Sequence, residues 1–387
     1  MRKENIDYFF EVFEKNNIPK LFSKIDSFEE EGAVIDNPDY DSNLTSNPNT
    51  VYSVFFIPDY LRPILDANKL NVKKVDQFFR GYAILLKGFN SADEYIKSRF
   101  RSNAKGIRRR IKRLESCFDI SYKTFYGNLE KEVYDDLMNR LEKMLVKRFE
   151  QRNDVSQTLT QWDRYKKMYF SLINEKRASL FVVYHENTPI VISLNHHFQG
   201  RLFSAISSYD IDFGKFSLGS VEIYKKLDWC IANQHQSYEM GMGDLSYKRE
   251  WCNHIYNFEH QIIYPKSSMV GWLKGNLEYL KVSAKELVFK LAYVKYKEYK
   301  AKRKKINIDQ VSQYKALSIE ETKAEYNNLS EVDYNSEDFK FLRKYVFDFL
   351  YSSIENVANV KVCELAQEAN SYVIIGTSKT QKIVQEA

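Results

Sequence analysis

Two of the chain's thirteen glycines stand one residue apart in a single run, Tyr238–Cys252, which reads YEMGMGDLSYKREWC. The residues before them have strand character, and the alternation of a strand places Gly241 and Gly243 on one face. A strand face without side chains is where a backbone admits a ligand closely. Asp244 follows at once, and Tyr247, Lys248 and Trp251 come within two turns. A spacing of four puts Tyr247 and Trp251 on one helix face and lets Asp244 pair with Lys248. Asp244 is expected to cap that turn. On a plain reading the rings pack and the charges form a structural ion pair. On the functional reading the glycines clear a slot, and the turn aims the Tyr247 phenol into it.

Length and charge bound the rest. A chain of 387 residues suits two or three domains and buries enough surface to fold without metal or disulfide. Cys117, Cys230, Cys252 and Cys363 are widely spaced with no CxxC, the pattern of reduced thiols in a reducing compartment. The N-terminal MRKENIDYFFEVFEKN carries acids through its apolar part, unlike a signal peptide, and no apolar run is long enough to span a membrane. A cytoplasmic protein without a transmembrane segment is expected. Six histidines with no ligand spacing predict no metal site. The net charge of +6 favours an anionic partner.

Along the chain, Tyr8, Phe9, Val12 and Phe13 have helical periodicity, and VYSVFFIP and GYAILLKG read as short strands. Ser91 opens a helix that runs through nine Lys or Arg between Lys97 and Arg113 with no acid among them. Ile107, Ile111 and Leu114 form its thin apolar stripe. Its outward charges, Arg109 and Lys112 among them, suit a phosphorylated acceptor, or else are a solvated face. Aromatics do not interleave with them, which argues against a single-strand platform. A strand and two helices follow, then a hairpin turning at Glu186–Pro189, a further strand, and the loop FGKFSLGS leading into a helix. Lys215, Ser217, Leu218, Gly219 and Ser220 make that helix start either an anion site or an ordinary capped helix. His196 and His197 point to opposite faces of the preceding hairpin strand, and His197 is the candidate general base. Val270–Lys305 is a long helix with a basic end, suited to the surface, a membrane edge or a partner. A polar tail with one more helix and strands VKVCEL and SYVIIG ends the chain.

The order of elements over about residues 155–265 is that of the GNAT acyltransferase core. YDIDFGKFSLGSVEIYKKLDWC, then GMGDLSYKREW, resembles the CelD-like group of GNAT proteins, named for a cellulose-biosynthesis protein. Its members carry a Ser-x-Gly loop before a helix and then Gly-Asp-x-x-Tyr-Lys-x-x-Trp. The basic RRRIKRLE upstream is similar too, so the resemblance covers roughly residues 75–275. It implies an α+β fold of tandem GNAT-like mixed sheets flanked by helices, as in Fem-type aminoacyltransferases, with a C-terminal helical extension. The implied parts are a degenerate half at 1–150 and the acyltransferase half at 151–270; the basic helix at 271–305 follows, and an α/β appendage at 306–387 has no place in the pattern.

The implied activity is transfer from acyl-CoA, as co-substrate and without metal, to an amine of a cell-envelope or polysaccharide-related acceptor. Lys215, Ser217, Leu218, Gly219, Ser220, Gly241 and Gly243 would then bind coenzyme A. Tyr247 would protonate the leaving thiolate, with Asp244 and His197 as the other catalytic groups. Arg109, Lys112, Lys248 and Trp251 would serve the acceptor. The chain departs from the usual pyrophosphate loop, Arg/Gln-x-x-Gly-x-Gly/Ala, by carrying KFSLGS in its place. Two other functions fit the same resemblance. One is Fem-like aminoacyl transfer from tRNA, which would use the basic helix. The other is a non-catalytic GNAT-like module for anionic ligands, with contact to a membrane surface.

Overall fold

The computed structural model describes residues 2–27, 33–46, 50–304, 314–321, 329–366, 368 and 370–385. The chain forms two compact units, each drawn from three separate segments. The first comprises Met1–Gly88, Asn195–Ala205 and Asn233–Ile308; the second comprises Phe89–Leu194, Ile206–Ala232 and Asp309–Ala387.

In the first unit the strands Arg2–Asp7, Thr50–Pro58, His254–Pro265, Leu70–Leu85 and Ser237–Met242 lie side by side in that order. Arg2–Asp7 runs parallel to Thr50–Pro58, while the central pairings are antiparallel. The strand Arg2–Asp7, held by pairing from Arg2↔Thr50 to Asp7↔Phe55, precedes the helical residues. The helical spacing of Tyr8, Phe9, Val12 and Phe13 falls on helical residues 8–14, of which Phe10–Glu14 is a π-helical turn. The core is aromatic: Tyr8, Phe13, Phe22, Tyr60, Tyr256 and Phe258 pack together. Tyr60 meets Tyr256 edge-on with ring centres 4.7 Å apart. The helix Met269–Lys304 lies on this sheet so closely that a Cβ on Gly275 would fall 2.3 Å from the Tyr264 ring. Lys305, its expected last residue, lies outside the described residues.

In the second unit Ile120–Phe125 pairs antiparallel with Ala178–His185. Helices Lys131–Gln151 and Trp162–Asn174 bury Leu137, Leu141, Tyr169 and Ile173 against Leu180, Val182 and Ile192. The long basic helix of the sequence reading is two helices, Ala92–Phe100 and Ala104–Cys117. Arg101, at φ 51° and ψ −119°, breaks the run and a 3-10 turn joins the pieces. Ser91 caps the first as expected, its Oγ accepting from the Glu94 amide at 3.2 Å. The tail is more than helical. Among the described residues it has, beside the helix Arg343–Ser353, five strands in one sheet from Tyr314–Glu321 to Lys379–Gln385, the expected Lys361–Leu365 and Ser371–Ile375 among them. Phe347 of that helix packs at a tilt against Phe213, ring centres 4.5 Å apart, and edge-on against Phe118 at 5.1 Å, and Arg343 pairs with Asp210 and Asp212.

Candidate functional site

The Ser237–Met242 strand ends in a bulge. Its register against Leu70–Leu85 slips between Glu239, opposite Ala83, and Gly241, opposite Tyr82. Gly241 has φ of 69° and Gly243 of 104°, where an L side chain is strained. A Cβ on Gly241 would stand 3.0 Å from the Phe203 ring, and Gly243 lies past the strand's last residue. The two glycines thus serve a backbone bend, one of them beneath an aromatic ring.

Beyond the bend, Asp244 does not cap the short helix Ser246–Trp251; Leu245 holds that position with no side-chain cap. Asp244 instead accepts from Tyr82 Oη at 2.9 Å and from Arg249 Nη1 at 2.5 Å. Burial, and then Asp244, push the Tyr82 phenol up to about 12. Lys248 turns the other way. Its Nζ donates to the Met242 carbonyl at 2.7 Å and the Gly241 carbonyl at 3.4 Å, tying down the bend. Burial pulls this ammonium down to about 8. Lys248 and Trp251 form the buried face of the helix, while Tyr247 is 43% exposed. Tyr247 and Trp251, four apart on this short helix, differ in burial, Trp251 packing inward while Tyr247 reaches solvent.

His197 belongs to a second cluster in the same unit. Its Nδ1 lies 3.0 Å from His235 Nε2, and His235 Nδ1 lies 3.2 Å from the Asn233 carbonyl. A carbonyl only accepts, so His235 Nδ1 carries hydrogen and its Nε2 accepts from His197 Nδ1. In the neutral ring that leaves Nε2 of His197 with the lone pair. Burial and the neighbouring imidazoles hold His197 well below the usual histidine range. Glu239, fully buried on the strand, accepts from Ser237 Oγ at 3.0 Å. An acid inside an apolar strand was visible in YEMGMG, but its role was not.

The strand Arg201–Tyr209 pairs in parallel with Ser237–Met242 from Arg201↔Ser237 to Phe203↔Glu239 and no further. Ser204 and Ala205 on one strand and Met240–Met242 on the other continue without pairing to each other, and Ala205 is exposed. The backbone pairing of these two strands thus ends at Phe203↔Glu239, and the Gly241 and Met242 carbonyls beyond it accept from Lys248.

In the second unit, Ser217 has a left-handed backbone at φ 55° and closes the turn Ile211–Phe216 just before the helix Leu218–Ala232. Its carbonyl accepts from the Ser220 amide at 2.8 Å. Gly219 has room, since an added Cβ would make only an ordinary 3.8 Å contact with Tyr209. Lys215 leans toward the C-terminal helix, 3.4 Å from the Asp348 carbonyl and 3.3 Å from Ser352 Oγ. The same helix holds a pair that sequence reading missed. Lys226 Nζ lies 2.7 Å from Glu222 Oε1 and 2.9 Å from Ser193 Oγ, while Ser207 Oγ donates to Glu222 Oε2 at 2.6 Å. The Glu-x-x-x-Lys spacing among Val221, Ile223 and Leu227 was its signal. Of the basic cluster, Arg108 pairs with Asp93 at 2.8 Å and Arg113 lies over the Tyr351 ring at 4.6 Å, leaving Arg109 and Lys112 exposed. Among the described residues no cluster of three or more His, Cys, Asp or Glu is arranged to hold a metal.

Residues 101–249, less than half of the chain, match a family profile described as an acetyltransferase (GNAT) domain. No curated protein matches the sequence. Solved structures similar to it include a conserved protein of unknown function from Bacteroides thetaiotaomicron VPI-5482, with TM-score 0.36 and 9% identity over 55% of this chain and 70% of that one. FemX aligns with TM-score 0.36 and 11% identity over 46% of this chain and 61% of its own. A GCN5-related N-acetyltransferase from Sphaerobacter thermophilus aligns with TM-score 0.29 and 10% identity over 55% of this chain and 60% of its own. The chain is thus similar, over those residues, to a GNAT acetyltransferase domain, and its fold is mixed α+β.

Proposed function

We propose that this protein, as a CelD-like GNAT transferase, moves an acyl group from coenzyme A to an amine of a cell-envelope or polysaccharide-related acceptor. The observation that carries the reading is the parallel strand pair that stops at Phe203↔Glu239 while both strands continue. We place the pantetheine arm, an extended ligand with amide groups, where that pairing ends. In the reaction the amine nitrogen bonds the thioester carbon, the C–S bond breaks, a base takes the amine proton and the thiolate gains one.

Tyr247, exposed on the first turn after the glycine bend, is the group we assign to the thiolate. A thiol near 8.5 and a phenol near 10 make that transfer mildly uphill but short. His197 Nε2 is our candidate base. Asp244, held by Tyr82 and Arg249, and Lys248, held by the bend, keep the turn in place.

Thermal denaturation in the presence of acyl-CoAs of graded chain length tests the reading. A ligand at 100 times its dissociation constant adds about 2.7 kcal/mol of stability. Tyr247→Phe should keep this shift while lowering turnover by roughly 10²-fold. No shift with any acyl-CoA, together with retention of tRNA, would replace the reading with aminoacyl transfer.

A further inference from the structure

The helix Met269–Lys304 has two unlike faces. One lies on the first unit's sheet, with Gly271, Gly275 and Val282 buried and the Tyr293 ring 5.2 Å from Phe78. Two positions along, about 200° around the helix, runs a second stripe: Leu273, Leu277, Leu280, Leu287, Leu291 and Val294, with Ala284 between. The spacings alternate four and three, and all six large side chains are more than half exposed. A continuous exposed apolar stripe of this extent marks an interaction surface.

The charges around the stripe select its occupant. Lys274, Lys281 and Lys295 each follow a stripe residue by one position, and Lys290 precedes one. Glu278 and Glu286 are the only acids between Met269 and Lys295, and both face the sheet. Glu278 takes Lys3 at 2.9 Å, and Glu286 accepts from the Phe78 amide at 3.0 Å. A second copy laid along the stripe in either direction would set lysine against lysine, where paired helices need opposite charges. An anionic bilayer surface satisfies both parts. Leucines enter the acyl boundary and the flanking lysines meet headgroup phosphates. Trp272, 57% exposed near one end, is the aromatic favoured at that depth. Among the described residues no helix is long and apolar enough to cross a membrane, so this one would lie along it. From Leu273 to Val294 the stripe is roughly 32 Å long.

We infer that the outer face of Met269–Lys304 docks this protein on bilayers bearing anionic phospholipid. The inference is independent of the transferase reading, since it uses none of those residues. The test is co-sedimentation of the full chain with vesicles of phosphatidylcholine alone or mixed with phosphatidylglycerol, at low and high salt. Pelleting with the anionic vesicles, weakened by salt and nearly absent with phosphatidylcholine, is expected. Leu280→Ser with Leu287→Ser should lower partition at least about tenfold. Lys274→Glu with Lys281→Glu should lower it by about fivefold or more per residue. All four positions are exposed, so an unchanged melting temperature certifies each variant's fold. Failure of the folded wild type to pellet at low salt overturns the inference. So does pelleting that ignores the leucine substitutions. A dimer in sedimentation velocity that those substitutions dissolve would assign the stripe to a second copy and overturn it too.

Discussion

Lys248 is the group whose environment makes the sharpest quantitative demand. Its ammonium is buried and lies between two carbonyl oxygens at the end of the glycine strand. Burial lowers it from 10.5 to about 8, and a shift of that size corresponds to about 3.4 kcal/mol between protonation states. Near pH 7 the folded and unfolded chains both carry the proton, so this group adds no pH dependence there. Between about pH 8 and 10.5 the folded chain has released it and the unfolded chain still holds it, so stability rises with pH. Lys248→Met keeps the length of the side chain and removes the titration. The wild type should therefore gain on the variant by roughly 2–3 kcal/mol between pH 7 and 10. In a chain of this size that is on the order of 5 °C in melting temperature. Scanning calorimetry of both proteins across that range reads the gain. Nitrogen-15 NMR of the lysine amine, assigned by its loss in the variant, should show a midpoint near 8. A constant difference in melting temperature and an amine midpoint near 10.5 would show a solvated ammonium and refute the argument.

Four further outcomes are expected. Gly241→Ala forces a side chain to φ 69° with its Cβ 3.0 Å from the Phe203 ring, and should cost about 1–3 kcal/mol in thermal unfolding. Burial holds His260 at about 4, beside Ser53 Oγ at 2.8 Å. Below about pH 6.5 the unfolded chain takes that proton first, so stability falls as pH drops toward 4. His260→Gln should remove up to about 2 kcal/mol of that acid dependence in pH-dependent melts, allowing for the water that reaches the ring. Arg109→Glu with Lys112→Glu should leave stability within about 0.5 kcal/mol and raise the acceptor KM, more at low salt than at high. Arg108→Glu should instead lower stability, because it places like charge against Asp93.

Several features of the site could be read from residue order alone. The paired glycines mark the end of the strand at 241–243, though what alternation presents as a bare strand face is in fact a positive-φ bend. Ser91 before Asp93 and Glu94 announces a capped helix, and the cap is made. The order of strands and helices through residue 265 was enough to resemble a GNAT core, and the acetyltransferase domain profile matches residues 101–249. These signals are local: a cap, a left-handed residue or a hydrophobic period involves neighbours within a turn or two.

What the tertiary structure alone decided is which groups meet. Asp244 was expected to pair with Lys248 four residues on, yet it holds Tyr82 of another strand and Arg249, while Lys248 is drawn to carbonyls at the bend. His197 gains its partner from a loop 38 residues away. Lys215, placed by sequence beside a cofactor loop, is engaged by a helix 133 residues later. The basic run, read as one helix, breaks at Arg101, and two of its arginines are taken by Asp93 and Tyr351. A side chain's charge and reach are written in its own residue, but its burial is set by what the rest of the chain stacks against it. Desolvation brings Lys248 to about 8, and that quantity exists only once the chain has closed over it.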